Sequence, residues 1–254
     1  MKLEGMDSDI IYKYIDFDTG INNILVCKSL KFTNPNEFND PFDCDEELIS
    51  LNITEKFLSD FINRNQPNKN RDEKRRLLRE MLKGEKRFIS IFNAELQKQK
   101  DQFRVSCFSK TEKEILMWSH YANKHRGICI GFQKSGFSRN PDSIPTEVIY
   151  LDEFRPIDYE SGNLEAFKGW LTTKSDKWSY EEEVRLFNYK KKEIISFEQE
   201  LVKEIIFGCK VEESEITKTI QNLKIKGYSQ SEFYKMVKVK NCFKLNKEKI
   251  NSYT

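Results

Sequence analysis

Ile10-Ile11-Tyr12-Lys13-Tyr14 is apolar with a polar residue set into it, and this run predicts a first short strand. From Gly20 to Leu30 the spacing changes, and Ile21, Ile24 and Leu25 fall on one side of a predicted short helix. Ser29-Leu30-Lys31-Phe32-Thr33 alternates again and predicts a second strand. Residues 34–43, with two prolines and three asparagines, disfavour both helix and inner strand and predict a loop. Helical patterns follow at Ile53 to Phe61, capped by Asn52, at Glu73 to Lys86 and at Ile89 to Lys100, with a polar connection from Asn63 to Asp72. Residues 52–102 therefore read as a helical insertion or subdomain within one domain spanning 1–254.

The second half returns to strand patterns. Arg104 to Ser109, Gly127 to Phe132, Glu147 to Tyr150, Glu183 to Asn188, Leu201 to Gly208 and Tyr234 to Val239 each predict a strand. Between them, Glu112 to Asn123, Asn163 to Thr173 and Glu212 to Lys226 predict helices, and Gln133 to Glu147 reads as mostly irregular. The fold class expected is α+β, with a mixed or antiparallel sheet core. The chain shows no internal repeat and no phosphate-binding glycine signature.

Composition narrows the field only slightly. The 254 residues carry 43 basic and 41 acidic side chains, a formal charge of +2, which argues against a dominant attraction to nucleic acid and leaves a local groove open. No apolar run reaches membrane-span length, and Met1 to Asp7 lacks the apolar run of a secretion signal, so a cytoplasmic protein with no membrane partner is expected. The six cysteines form no Cys-x-x-Cys pair; reduced thiols packed as small hydrophobes, and no structural metal, are expected.

Three polar clusters hold the candidate chemistry. The first is Phe38-Asn39-Asp40-Pro41-Phe42-Asp43, whose amide and carboxylates fit a bound hydroxyl, amide or metal, or equally an Asx-turn closing on its own backbone. Phe38 and Phe42 are expected to anchor this loop to the core. The second, Met117 to Gly127, contains both histidines of the chain. His120 and His125 are five apart, so a regular helix does not put them on one face. His120 fits an acid, a base or a packed imidazole, Tyr121 fits base stacking or the core, and Arg126 fits a phosphate contact or an ordinary ion pair. The third runs from Lys174 and Trp178 to Arg185. As a strand, it would place Glu181, Glu183 and Arg185 on one face. Such a set serves either an active site or a solvated strand edge with an Arg–Glu pair.

These residues together resemble a widespread microbial family, number 2971 in the domain-of-unknown-function series. The resemblance rests on Tyr12-Lys13-Tyr14, Asn39-Asp40-Pro41-Phe42-Asp43, Cys107-Phe108-Ser109, Met117 to Tyr121, His125-Arg126-Gly127, Lys174, Trp178 and Glu181 to Arg185. It implies a bacterial or phage setting, at times beside defence genes, and hence a role in antiviral defence. A more distant resemblance is to ADP-ribosyltransferases, carried by Lys13-Tyr14, Ser109 and Glu181-x-Glu183. That resemblance implies an ADP-ribosyltransferase-like fold and NAD as substrate. Glu183 would then promote transfer, Glu181 would aid a macromolecular acceptor, and Tyr14 and Tyr121 would stack on nicotinamide or base. Lys13 stands where the familiar pattern has Arg or His.

The candidate set is therefore Glu183, Glu181 and His120 for catalysis, and Lys13, Tyr14, Asn39, Asp40, Ser109, Tyr121 and Arg126 for binding a nucleotide-like molecule. Two other classes stay open. One is a non-catalytic nucleotide or ligand sensor. The other is a metal-dependent nuclease, in which Asp40, Asp43, Glu181 and Glu183 would hold magnesium and nucleic acid would be the partner.

Overall fold

The computed structural model describes residues 9–50, 53–138, 144–153, 157–158 and 164–251. The chain divides into two compact units, each assembled from separate stretches. The first comprises Met1–Thr33, Arg104–Val148 and Lys177–Thr254, and the second Asn34–Phe103 and Ile149–Asp176.

An eight-stranded sheet organises the first unit. Its strands are β1 (Ile10–Ile15), β2 (Arg104–Ser109), β3 (Ile128–Gln133), β4 (Pro145–Glu147), β5 (Glu183–Asn188), β6 (Val202–Phe207), β7 (Glu232–Lys238) and β8 (Leu245–Lys249). Across the sheet they run β8-β7-β6-β3-β1-β2-β5-β4. Within this sheet, among the described residues, β6 and β7 pair in parallel, joined through the helix Glu213–Ile225, and the other pairings are antiparallel. The α+β class with a mixed sheet is thus the observed one.

Alternation gives the sheet two faces of different character. Ile11, Phe108, Ile130, Phe132, Val184, Leu186, Ile205 and Phe207 lie on one. They pack with Ile21, Ile24 and Leu25 of the helix Thr19–Val26 and with Ile216, Ile220 and Leu223 of Glu213–Ile225. Full burial of each such aliphatic or aromatic side chain contributes roughly 1.5–3 kcal/mol. The opposite face carries Tyr12, Tyr14, Cys129, Ile206 and Met236 against Met117, Trp118 and Ala122. Tyr14 meets Trp118 edge-on at 5.2 Å between centroids.

Several elements differ from their sequence pattern for identifiable reasons. The helix expected over 20–30 is a π-helix, Thr19–Val26. The helix expected over 112–123 contracts to Ile115–His120: the Glu114 side chain caps it, and Asn123, Lys124 and His125 then all take positive φ. The strand expected over 147–150 divides at Val148, with Pro145–Glu147 on the large sheet and Ile149–Leu151 in the second unit. Within the stretch read as irregular, Lys134–Phe137 forms one helical turn. Strand β8, Leu-Asn-Lys-Glu-Lys, has a single apolar residue and so gave no strand signal.

The second unit holds the helices Glu55–Asn65, Arg71–Lys83, Glu85–Lys100 and Leu164–Thr172. Asn52, expected as a cap, lies outside the described residues, and Thr54 caps the first helix instead. Asn70 and Glu73 form a capping box at the start of the second helix. A short parallel pairing of Ile49–Ser50 with Ile157–Asp158 ties the two segments of this unit together, and a second, of Ile149–Leu151 with Thr173–Ser175, closes the later segment on itself. Trp170, fully buried, donates its indole N–H to the Asp45 carbonyl at 2.7 Å.

Candidate functional site

Strand β5 lies inside the sheet, between β2 and β4, so its polar residues are removed from water. Glu183 and Arg185 are two apart and therefore share a face. The guanidinium donates to both carboxylate oxygens, at 2.8 and 3.0 Å, in the fork geometry that makes such pairs strong. Their side chains are 4% and 0% exposed, so this is a buried ion pair and not a solvated strand edge. Ser109 of β2 stands directly opposite Glu183 in the pairing, is fully buried, and accepts the Thr111 N–H on its hydroxyl. Burial, with Glu183 as the next cause, pushes the neighbouring Cys107 thiol well above the ordinary thiol range, which keeps it protonated.

Glu181 does not continue the strand. It ends the 3-10 turn Asp176–Glu181, and Glu182 follows with φ +42°, so the strand alternation expected to align Glu181 with Glu183 and Arg185 begins only at Glu183. Glu181 is nonetheless buried, and the Tyr121 hydroxyl donates to its Oε1 at 2.7 Å. Tyr121 is the C-cap of the helix Ile115–His120, whose Trp118 is fully buried and donates its indole N–H to the Glu112 carbonyl.

The remaining candidates of this unit occupy different settings. Tyr14 shares the face of Ser109 and Glu183, and its hydroxyl donates to the Thr111 carbonyl at 2.9 Å. Lys13, adjacent in the strand, faces the other way. Its ammonium donates to the Ser106 hydroxyl and the Cys107 carbonyl and sits 5.3 Å from the Phe108 ring centre, and burial lowers its pKa. His120 is exposed with its ring edge-on to Tyr121, and Arg126 is also exposed. The second histidine, His125, has its Nε2 3.0 Å from the Ser119 hydroxyl. Burial, and secondarily the Lys210 charge, lower its pKa.

In the second unit the Asn39–Asp43 loop folds on itself. Asn39 is exposed, while Asp40 is buried and accepts the Phe42 N–H at 3.0 Å, an Asx-turn. The other oxygen of Asp40 is buried without a hydrogen-bond partner. Asp43 and Lys174, both buried, form an ion pair at 3.6 Å. Phe42 is not a core anchor: it is 64% exposed and lines a cavity of ≈ 210 Å³ with Leu48, Leu151, Thr173 and Lys174.

Asp43 and Lys174 fall in separate clusters of the sequence, and no spacing pairs them. Lys174 stands among the polar residues Thr172, Thr173, Ser175 and Asp176, so nothing local marks it as the partner of a buried carboxylate. Cys107 was read as a packed thiol, and its place beside Glu183 follows from a strand register that the sequence does not encode locally.

Among the described residues, no three His, Cys, Asp or Glu side chains gather closely enough to hold a metal ion. Nor, among those residues, is any helix long and apolar enough to cross a membrane. Residues 117–186 match the model of a family described as a protein of unknown function, DUF2971. The family resemblance therefore holds over the segment that carries Trp118, Tyr121, Glu181, Glu183 and Arg185. No curated protein and no solved structure matches the chain.

Proposed function

We propose that the first unit binds a nicotinamide dinucleotide and transfers its ADP-ribosyl group to a macromolecular acceptor. The observation that carries this reading is the register of three adjacent strands: Tyr14 on β1, Ser109 on β2 and Glu183 on β5 share one face, with Glu183 directly opposite Ser109. In the transfer, the bond between ribose C1′ and the nicotinamide nitrogen breaks and its electron pair leaves with neutral nicotinamide. The acceptor nucleophile bonds to C1′ and gives its proton to Glu181. Glu183, held rigid by Arg185, stabilises the positive charge that develops on the ribose. Tyr121, bonded to Glu181, supplies an aromatic face beside it.

One observation favours a second reading. Both carboxylate oxygens of Glu183 are engaged by Arg185, which offsets the negative charge a transferase would use. In that reading the unit is a nucleotide or ligand sensor that binds without turnover. The test is nicotinamide release from NAD, with protein and nucleic-acid acceptors supplied, beside direct measurement of NAD binding. The transferase reading expects release by the parent and a loss of at least ~100-fold in Glu183→Gln, the scale of one electrostatic catalytic group. Binding without release in the parent would support the sensor, and absence of both would refute NAD as the ligand.

A further inference from the structure

The turn joining β7 to β8 carries an unusual surface. Residues Lys238, Val239, Lys240, Asn241, Cys242, Phe243 and Lys244 are all exposed, and Phe243 is 100% exposed. The stretch holds three lysines and no acidic residue, in a chain whose formal charge is only +2. Its backbone is defined: the Val239 N–H bonds to the Lys244 carbonyl and the Cys242 N–H to the Val239 carbonyl. Lys240 and Asn241 are thereby set at the apex, Asn241 with φ +58°, and Phe243 on the returning arm. Leu245, the next residue, is buried and fixes the base of the hairpin against Lys238.

A fully exposed phenylalanine ring loses apolar burial and gains nothing from the fold. Two polyanions would satisfy it together with the lysines: an anionic lipid surface, into which the ring inserts, or a single-stranded nucleic acid, on whose base it stacks. The apex decides between them. Insertion into lipid would lead with Lys240 and Asn241 and desolvate an ammonium and an amide before the ring arrived. On a nucleic acid the same apex stays in water, where Lys240 meets phosphate and Asn241 meets a base edge or sugar.

We propose that this hairpin is a contact surface for single-stranded nucleic acid, with Phe243 stacking on one base and Lys238, Lys240 and Lys244 facing the backbone. A duplex offers no unstacked base to the ring. The site is independent of the nucleotide reading of the sheet face above.

The experiment is fluorescence anisotropy of a labelled mixed-sequence single-stranded oligonucleotide titrated with the full chain. The same oligonucleotide as a duplex, and phosphatidylserine-containing vesicles, serve as parallel arms. The single strand is expected to bind more tightly than the duplex. With about three phosphates neutralised, affinity should fall roughly fourfold for each doubling of salt. Phe243→Ala should weaken binding about 10-fold, and Phe243→Trp should retain it. Lys240→Ala/Lys244→Ala should weaken binding and flatten the salt dependence. Each altered side chain is exposed, so unchanged melting of the variants checks that the fold persists. Absence of single-strand binding at low salt, equal affinity of Phe243→Ala and parent, or binding to vesicles in place of the oligonucleotide would each overturn the proposal.

Discussion

Arg185 grips Glu183 through two hydrogen bonds, 2.8 and 3.0 Å long, between residues two apart on one strand and almost wholly out of water. Removing one partner takes this two-point contact away from a charge that stays buried. Arg185→Met should therefore cost about 3–5 kcal/mol, read from the urea midpoint. The double variant Arg185→Met/Glu183→Gln removes both charges and should recover much of that loss. A double variant no more stable than the single would show that the pair is not coupled as described.

Tyr121→Phe deletes one hydroxyl and leaves the ring. Glu181 is buried and loses a donor at 2.7 Å, so the variant should be less stable by about 1.5–3 kcal/mol, as for hydrogen bonds to charged groups. If Glu181 also aids the acceptor, ADP-ribosyl transfer should fall while NAD affinity changes less. Thermal denaturation and transfer assays on the same preparation separate the two effects.

Gly127 and Gly208 sit where two turns press backbone against backbone. A Cβ on Gly127 would lie 2.2 Å from the Ile15 carbonyl oxygen, and one on Gly208 would lie 2.3 Å from that of His125. The obstructing atoms are main chain and cannot swing aside. Gly127→Ala and Gly208→Ala should each lower stability by about 1–3 kcal/mol, the usual range for overpacking. Wild-type melting of either variant would contradict the packing of these turns.

His125 gives the fold a dependence on mild acid. Burial first, and then Lys210, depress its pKa below the ordinary value of 6.5. The unfolded chain therefore takes up a proton before the folded one does. The stability associated with neutral His125 is complete above pH 6.5, declines as pH falls below it, and is lost once pH passes through the folded value. Urea midpoints between pH 7.5 and 5 should fall, and His125→Gln should flatten the decline. Imidazole proton shifts should place the His125 titration below 6.5.

Strand positions set by alternation were legible in the sequence. Arg104–Ser109 and Glu183–Asn188 occur at their expected bounds, because each is flanked on both sides in the sheet and its residues must satisfy two faces. Elements governed by caps and turns were less legible. The helix before Tyr121 stops early because three successive residues, Asn123 to His125, adopt the left-handed region, which no periodicity announces. Glu181 and Glu183 fit one strand face on paper, but the positive φ of Glu182 separates them into different elements. The Asp43–Lys174 pair joins residues far apart in sequence, and pairing at that distance is a tertiary fact.

The order of segments along the chain also sets a schedule for synthesis. β1 leaves the ribosome first, yet both its neighbours, β2 and β3, are made only after residues 34–103. At 5–20 residues per second this interval is on the order of 5–20 seconds. The helical segment waits as well, because Ile49–Ser50 and its partner Ile157–Asp158 are separated by the whole of β2 and β3. Neither unit can close before the other has begun, so the nascent chain carries an unpaired apolar strand through much of its translation. Yield in the cell should accordingly respond to elongation rate and to chaperones that shield extended apolar segments, more than the equilibrium stability of the finished protein would indicate.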